Sequence, residues 1–443
     1  MEKRFSKVAV SETNNNNIFF NRQLKMYSTK GDIRSPFERD YTRILHANSF
    51  RRMKHKTQVF FNVENDHICT RMEHVLHVES VSHSIAKALG LNCELTKAIA
   101  LGHDLGHAPF GHFGEQILNN LAINGIKDGK EVLVYGLSEQ AIKNLNNAPY
   151  FWHERNSLRM VDKLDLLPDD NGNNKNLNLT FAVRDGIISH CGELKTVNLK
   201  PRTQDIDLTK DFIRSGQFEP ATWEGCAVKI SDKIAYLGRD IEDAIRLGFI
   251  TDKDLEELKD IADENIVLNT TTLMHRMIVD ICRESSPECG IVLGEVNKKL
   301  IDNVLAFNNK HIYLSHKSDA YRDYCKMILS WIYRVLVNLY DYDKTVENIN
   351  ALPYNLLKRS FLDWIYTYTD IDYIPKDKRE KYKKFQNIKI YGKLENRDLY
   401  IRAVIDYIAG MTDNYAIKIF KEFITFESIL RIHGRRDKNS RET

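Results

Sequence analysis

Residues 70–106 read TRMEHVLHVESVSHSIAKALGLNCELTKAIALGHDLG, and the start of this stretch carries the signals of a long amphipathic helix. Thr70 followed three positions later by Glu73 is a capping box, and Gly90 stands where such a helix would stop. Between these signals apolar side chains recur at helical spacing and predict one buried face: Val75, Val78, Val81, Ile85 and Leu89. His74 lies next to that face.

A second helix is predicted at about residues 94–105, and it delivers the adjacent pair His103 and Asp104 just before Gly106. Neighbouring helical positions point about 100° apart, so the pair can occupy adjacent vertices around one octahedral ion. Imidazole together with carboxylate suits Mn²⁺, Fe²⁺ or Mg²⁺. A histidine-aspartate dipeptide alone is a weak signal, and the preceding helix that carries His74 strengthens it.

Histidines are concentrated around these two helices. Of the 15 in the chain, seven fall within residues 67–112: His67, His74, His77, His83, His103, His107 and His112. Core or surface histidines would be spread along the chain, whereas metal and phosphate chemistry gathers imidazoles in one place. We interpret His77 and His83 as ordinary packed residues.

A fourth ligand is predicted from a later helix. Asp232, Tyr236 and Asp240 repeat at positions i, i+4 and i+8, which sets three polar groups on one helix face. The alternative is a solvated face bearing Lys233 and Arg239. A tyrosine between two acids on one stripe is an unusual choice for bulk solvent and favours a site.

Helical periodicity dominates the chain, and few segments show the sustained alternation of a sheet. We therefore predict an all-α fold, divided into an N-terminal segment at 1–34, a core at 35–250 and a helical region at 251–443. The last region has long amphipathic helices and few candidate ligands, so we expect it to pack on the core and on partner subunits.

Composition and charge limit the classes of protein to which the chain can belong. Hydrophobic residues make up 42% and charged residues 28%, close to the globular average. The chain has no run of about 18 apolar residues and no apolar signal core, so we expect a cytoplasmic protein without a membrane partner. The seven scattered cysteines favour reduced thiols. A net charge of +3 supports nucleic-acid binding only weakly, and the basic residues 433–438 are typical of a solvated terminus.

Longer motifs surround the candidate ligands. The chain reads FERDYTRILH at 37–46, FRRMKHKTQVF at 50–60, GHDLGHAPFGHFGE at 102–115 and LNLT at 177–180, followed by Gly186-Ile187. With these blocks the chain resembles the HD-domain deoxynucleoside triphosphate triphosphohydrolases, the dGTPase-like branch, from about residue 35 to 250. The resemblance implies an HD-domain helical core with additional C-terminal helices.

The resemblance also implies a reaction and a metal. Water would attack the α-phosphorus of a dNTP, expel the nucleoside and release intact triphosphate. The family's metal ligands fall on His74, His103, Asp104 and Asp232. They imply one divalent ion per subunit, Mn²⁺, Mg²⁺ or Fe²⁺, and leave a second ion open. Such an ion would make a bound water nucleophilic at neutral pH.

Other family positions carry over residue by residue. The resemblance implies that His112 protonates the leaving 5′-oxygen and that Glu115 orients its ring. Further implied roles are triphosphate binding by Arg71 and Lys233, and reading of the sugar by Gln58, Tyr236 and Asp240. His107, His153 and Glu154 resemble phosphate-contacting or supporting groups, with a structural role as the alternative. Past residue 250 only Tyr313 and His316 are candidates to approach the nucleotide.

Partners and alternatives follow from the same resemblance. The family implies a homo-oligomer, and some members need a nucleotide activator, which leaves a dNTP activator open. A further hypothesis is binding of single-stranded DNA, which the net charge of +3 supports only weakly. Residues 151–156 depart from the family's pattern, which leaves the base preference open. The competing hypotheses are another HD-domain phosphohydrolase, acting on monophosphates, cyclic nucleotides or guanosine tetraphosphate, and a nucleotide sensor without catalysis.

Overall fold

A computed structural model describes residues 3–14, 17–25, 31–60, 65, 67–126, 136–191, 198–261, 269–385 and 389–425. The basic residues 433–438 lie outside these ranges. The described chain is built from helices, with strands of only two residues each, so the predicted all-α fold is confirmed.

The helices follow one another with short connections. Their bounds are α1 (Pro36–His46), α2 (Asn48–Arg52), α3 (Arg71–Leu89), α4 (Cys93–Gly102), α5 (Gly111–Asn124), α6 (Glu139–Asn144), α7 (His153–Arg159), α8 (Phe181–Ser189), α9 (Trp223–Arg246), α10 (Asp252–Ile261), α11 (Thr270–Glu284), α12 (Glu295–Asn308), α13 (Asp319–Val337), α14 (Thr345–Asn350), α15 (Asn355–Tyr368), α16 (Arg379–Tyr382), α17 (Arg397–Ala409) and α18 (Asp413–Ile424). Two π-helical turns, Met160–Leu164 and Asn309–Tyr313, continue α7 and α12.

The strands form two small antiparallel pairs. They are β1 (Leu167–Pro168) with β2 (Asn174–Lys175), and β3 (Asn198–Leu199) with β4 (Ile291–Val292). Single turns of 3₁₀-helix lie at Glu12–Asn14, Asn17–Phe20, Met53–His55, His316–Ser318, Tyr342–Lys344 and Ile371–Tyr373.

Helix α3 begins and ends where its sequence signals predict. The Thr70 backbone N–H donates to the Glu73 carboxylate at 2.7 Å, and the Glu73 N–H donates to the Thr70 hydroxyl at 3.4 Å. Gly90 ends the helix in the left-handed conformation, with φ of 84°. The capping box and the glycine stop are both confirmed.

Helix α4 ends earlier than predicted. It stops at Gly102, so His103 and Asp104 lie in the turn after the helix and not on it. The carbonyl of His103 accepts from the Ser157 hydroxyl at 2.7 Å, and the same oxygen of Ser157 accepts from the Gly106 N–H at 2.8 Å. Because a distant side chain takes these backbone groups, the helical ladder cannot continue through them.

The core of the helical layer around α9 is made by side chains of α3, α9, α11 and α12. Helix α9 contributes apolar residues along its length: Cys226, Ala227, Ile230, Ile234, Leu237, Ile241 and Ala244. Helix α3 faces it with Val81 and Ile85. This packing holds α3 and α9 side by side, as a site shared between them requires.

Helices α4 and α8 approach each other unusually closely. A Cβ atom at Gly102 would lie 2.7 Å from the Ile187 side chain, and one at Gly186 would lie 2.6 Å from the Ile99 side chain. A larger residue at either crossing point would require the facing isoleucine side chain to move. The close approach brings the end of α8, with His190, next to His103.

The described chain divides into two compact units. The first draws on residues within 1–107, 152–165 and 176–322, and the second on residues within 108–151, 166–175 and 323–443. In the second unit α15 packs on α17 and α18, with aromatic contacts such as Phe361 to Tyr407 at 5.0 Å between ring centroids. The division at 34/35 and 250/251 concerns other boundaries and stays a prediction.

Two bulk expectations can be compared with the described residues. None of the helices described there has the length and apolarity needed to cross a membrane. All seven cysteines lie in the described ranges, and each is free of a disulfide.

Candidate metal centre

Helices α3 and α9 bring two of the four predicted ligands, His74 and Asp232, together. His74 is 3% exposed, and its Nε2 lies 3.1 Å from Asp232 Oδ1, although the two residues are 158 positions apart. Asp232 is one of three polar residues on the α9 stripe. The stripe is therefore turned toward α3, so the alternative of a solvated face is wrong for Asp232.

The turn after α4 brings the other two ligands to the same point. His103 Nε2 lies 3.5 Å from Asp104 Oδ1 and 3.6 Å from Asp232 Oδ1. His74 Nε2 lies 3.8 Å from Asp104 Oδ2. Two imidazoles and two carboxylates thus converge. We call these four residues the HD cluster.

The charges of the HD cluster are strongly coupled. Burial by itself would raise the pKa of Asp104, but His107, His103 and Arg71 hold it well below its ordinary range. Burial would likewise raise the pKa of Asp232, and His103 and His74 hold it well below the ordinary range. Both carboxylates are therefore ionised in the interior.

The HD cluster has donors that could hold a divalent cation: ligand atoms of His74, His103 and Asp104 lie within 4.8 Å of one another, and those of His103, His190 and Asp232 form a second such group. Ligand atoms about 2.1 Å from an octahedral ion stand about 3 Å apart at neighbouring vertices, close to the 3.1–3.8 Å separations found here. His103 Nδ1 contacts the Ala100 carbonyl at 2.7 Å, which places the ring proton there and leaves a lone pair on Nε2. Among the described residues, that buried Nε2 has no hydrogen-bond partner. A bound ion would accept the lone pair of His103 Nε2.

Arg71 adds a cationic group beside the HD cluster. Its Nη1 donates to Asp104 Oδ2 at 2.6 Å, and the residue is only 2% exposed. Its Nε and Nη2 are buried and lack a hydrogen-bond partner in the described ranges. A buried guanidinium with two unsatisfied donors is suited to a phosphate oxygen.

His107 lies against the HD cluster through Asp104. Its Nδ1 is 3.1 Å from Asp104 Oδ1, and its ring stacks on that of His153 at 3.9 Å between centroids. Burial, followed by the charge of Arg71, holds the pKa of His107 well below its ordinary range, so the ring is neutral. The structure thus brings His107 and His153 together.

His190 is a candidate that the sequence analysis missed. Its ring lies 4.8 Å from that of His103 and 5.5 Å from that of His153. It follows the block 177–180 and Gly186-Ile187, which was recognised as a motif, but an isolated histidine at a helix end carries no spacing signal. Only the close approach of α4 and α8 reveals it.

The far end of the α9 stripe is also buried. Asp240 is 2% exposed and accepts a short hydrogen bond from the Tyr313 hydroxyl. Burial raises the pKa of Asp240 to about 7, so near neutral pH a large share of this carboxyl carries its proton. Tyr236 lies between the two acids, and its ring is 6.4 Å from that of His74.

Three further residues that were predicted to approach the substrate, Gln58, Lys233 and His316, are not members of the HD cluster. Gln58 follows α2 and its Oε1 is buried without a hydrogen-bond partner in the described part of the chain. Lys233 is half-buried on α9 next to Asp232. His316 is fully exposed and pairs with Asp319 at 3.1 Å on its own turn, so the structure does not bring it to the HD cluster.

His112 and Glu115 lie on α5, which belongs to the second unit. His112 Nδ1 is 3.5 Å from Glu115 Oε2, and the His112 side chain is 69% exposed. The predicted pairing of these two side chains is thus present. The carboxylate sits where it would hold a proton on Nδ1 and orient the ring.

Comparison with known proteins shows which sequences this chain is similar to. Residues 71–175 match the HD domain, and residues 389–422 match the phosphohydrolase-associated domain. A deoxyguanosinetriphosphate triphosphohydrolase-like protein of Caldanaerobacter subterraneus subsp. tengcongensis is 33% identical over 89% of this chain and 86% of its own length. Proteins of the same description from Clostridium tetani and Bartonella quintana are 32% and 30% identical over 88% and 89% of the chain, and 85% and 90% of their lengths. The similarity therefore extends well past residue 250, beyond the range predicted from the motifs.

We expect Mn²⁺ to stabilise the protein through the HD cluster. At a metal concentration about 100-fold above Kd, binding to the folded state alone adds about 2.7 kcal/mol to the free energy of unfolding. Asp232→Asn removes one anionic ligand and should abolish most of the rise in Tm, measured by thermal unfolding with and without Mn²⁺. The control is Asp302→Asn on an exposed position of α12, which should keep the full rise. An equal rise in Asp232→Asn would contradict the ligand assignment.

Asp240 should give the stability a measurable pH dependence. Its folded pKa of about 7 lies above the unfolded value of about 3.9, so the folded state binds the proton more tightly. Ionisation then lowers the free energy of unfolding progressively between about pH 4 and pH 7, by up to about 4 kcal/mol, with no further loss above. In Asp240→Asn, whose amide oxygen can still accept from Tyr313, this loss should disappear.

Urea unfolding of wild type and Asp240→Asn over that pH range, with chelator present, measures the difference. The variant should gain stability relative to wild type as pH rises from about 4 to about 7. Asp302→Asn should run parallel to wild type. Parallel curves for Asp240→Asn would show that Asp240 ionises normally.

Proposed function

Because the chain belongs to the deoxyguanosinetriphosphate triphosphohydrolase-like proteins, which carry an HD domain, we propose that it hydrolyses deoxynucleoside triphosphates. The products would be the deoxynucleoside and intact triphosphate. The observation that carries the proposal is the HD cluster with two unsatisfied N–H donors of Arg71 beside it. This arrangement offers a cation site and an anion site in direct contact, as a nucleoside triphosphate with its divalent ion requires.

The HD cluster is the proposed metal site, formed by His74, His103, Asp104 and Asp232. When bound, a divalent ion supplies Lewis-acid polarisation of the α-phosphate and raises the acidity of the attacking water. The protein contributes the geometry. His103 is held by the Ala100 carbonyl, and Asp104 is held by the Arg71 guanidinium, so both keep fixed orientations before substrate arrives.

The triphosphate is the proposed partner of Arg71 and Lys233. The Nη1 group of Arg71 donates to Asp104, and its Nε and Nη2 groups could donate to phosphate oxygens. Lys233 is adjacent in sequence to the ligand Asp232 and adds a second positive charge. His107, neutral and buried against Asp104, and His153, stacked on it, support this side of the site. Glu154, fully buried, accepts a hydrogen bond from Ser215 and keeps the His153 turn in place.

The sugar is the proposed partner of Gln58, Tyr236 and Asp240. Asp240 has a raised pKa because it is buried, so it offers both a proton and a lone pair to a hydroxyl. Gln58 Oε1 is a buried acceptor without a partner among the described residues, and a sugar hydroxyl would satisfy it. Tyr236 supplies a flat apolar surface between these polar groups.

The proton for the leaving 5′-oxygen is assigned to His112. The assignment comes from the motif at 102–115, and the 3.5 Å approach of Glu115 to His112 Nδ1 supports it. With Nδ1 protonated toward Glu115, Nε2 is the nitrogen that would donate. Glu115 acts here as a positioning residue.

Product analysis tests the proposal directly. Purified full-length protein should release tripolyphosphate and deoxynucleoside from dNTPs with Mn²⁺ or Mg²⁺, measured by anion-exchange and reversed-phase chromatography. Each dNTP alone defines base preference, and pairs of dNTPs reveal any activation by a second nucleotide. Release of pyrophosphate, or turnover of monophosphates alone, would instead establish another phosphohydrolase.

His112→Ala separates catalysis from binding. Loss of a general acid should lower kcat about 10²- to 10⁴-fold and leave dNTP affinity nearly unchanged by calorimetry. His275→Ala, which removes an exposed histidine on α11, is the matched control and should keep wild-type kcat. Unchanged turnover in His112→Ala would overturn the assignment. Binding without turnover in the wild type would indicate a nucleotide sensor.

A further inference from the structure

Beyond the HD cluster, a second group of ligand-type side chains lies in the first unit. One potential ligand atom from each of His153, His190 and Cys191 lies within 4.8 Å of the others, and a ligand atom of His190 lies within the same distance of those of His103 and Asp232 in the HD cluster. We propose that these three residues form a second cation site, separate from the HD cluster, that takes a thiophilic divalent cation such as Zn²⁺.

The distances suit a tetrahedral ion. Cys191 Sγ lies 3.3 Å from His153 Nε2. A zinc ion with Zn–S of about 2.3 Å and Zn–N of about 2.0–2.1 Å would hold sulfur and nitrogen about 3.6 Å apart. The pair therefore needs to open by only a few tenths of an ångström. His153 Nδ1 lies 3.4 Å from the buried Glu154 carboxylate, and its Nε2 faces the sulfur.

His190 provides the independent sign of a missing ligand. Its Nδ1 contacts the Ile187 carbonyl at 2.7 Å, so the proton is on Nδ1 and the lone pair is on Nε2. The residue is 1% exposed, and within the described ranges its buried Nε2 has no hydrogen-bond partner. A buried acceptor left unsatisfied destabilises the folded protein, and a bound cation would remove that cost.

The donor chemistry distinguishes this group from the HD cluster. Two imidazoles and one thiol are ligands that zinc prefers, whereas Mg²⁺ and Mn²⁺ prefer carboxylate and water. Three protein ligands leave a fourth position for water or another donor. The HD cluster includes the carboxylates of Asp104 and Asp232 and therefore offers harder ligands. The two groups should therefore select different ions.

Binding requires a proton to leave. Burial raises the pKa of the Cys191 thiol, so the sulfur carries its proton when no cation is bound. The cation forms a bond to the thiolate, the S–H bond breaks, and one proton goes to solvent. No electron is transferred. The same burial makes the uncomplexed thiol a poor nucleophile, which favours a ligand role over a reactive one.

Cobalt titration reads out the thiolate directly. Metal-free full-length protein, kept anaerobic with a thiol-free reductant, is titrated with Co²⁺ and followed by near-ultraviolet absorption. We expect a thiolate-to-cobalt charge-transfer band that added Zn²⁺ displaces, and two bound ions per chain at saturation. A wild-type titration with no such band would overturn the proposal whatever the variants do.

Three variants assign the band. Cys191→Ser should abolish it and lower the stoichiometry to one ion. Cys93→Ser, at a similarly half-buried cysteine on α4, should keep it. Asp104→Asn weakens the HD cluster and should also keep it. Loss of the band in Asp104→Asn would mean that Cys191 binds the HD-cluster ion, and survival of the band in Cys191→Ser would assign it to another thiol, so either result overturns the proposal.

A folding defect can be separated from loss of a ligand. Far-ultraviolet circular dichroism of each variant checks its helix content. If Cys191→Ser is unfolded, His190→Gln replaces it, because this variant removes one nitrogen ligand and retains the thiol. We expect the Co²⁺ affinity of the site that produces the band to fall at least about 10-fold in His190→Gln. Unchanged affinity would overturn the assignment of His190, and the readout does not depend on dNTP hydrolysis.

Discussion

The ionised carboxylates of Asp104, which is buried, and Asp232, whose side chain is 16% exposed, lie beside the imidazoles of His74 and His103, and keeping this charge largely out of water is the constraint that the first unit meets. An ionised carboxylate loses several kcal/mol of hydration when it is buried. Here the histidines and the Arg71 guanidinium compensate for that loss. Because these groups come from α3, from the turn after α4 and from α9, the three segments must pack in a single arrangement. The long apolar face of α9 and the capped start of α3 provide that arrangement.

The protein does not satisfy all of its own buried polar groups, and the unsatisfied atoms indicate which ligands could bind. Native interiors satisfy nearly all buried polar atoms, but several near this centre lack a hydrogen-bond partner among the described residues. They are Gln58 Oε1, Arg71 Nε and Nη2, His103 Nε2 and His190 Nε2. The first is suited to a hydroxyl, the second pair to an anion, and the two imidazole nitrogens to cations. A site that is assembled before its ligands arrive avoids the cost of ordering these groups at the moment of binding.

The chain belongs to a family with a described activity, and the geometry adds what the family alone does not specify. The neighbouring clusters have different donors: the HD cluster combines two carboxylates with two imidazoles, while His190 lies with the thiol of Cys191 and the imidazole of His153. Ion selectivity in proteins depends on donor type more than on affinity. The crossing of α4 and α8 at Gly102 and Gly186 brings the two clusters close enough for His190 to contact His103.

The sequence by itself determined the all-α class, the bounds of α3, the family and the identity of the four HD-cluster residues. Capping and helical periodicity act between residues three or four positions apart, so they can be read locally. Tertiary structure alone decided that α4 ends at Gly102, because Ser157, more than 50 positions later, takes the backbone bonds of the next turn. It also decided that Asp240 is buried with a raised pKa, and that His190 joins the centre. These outcomes depend on the packing of helices distant in sequence, and no local pattern encodes the distance between them.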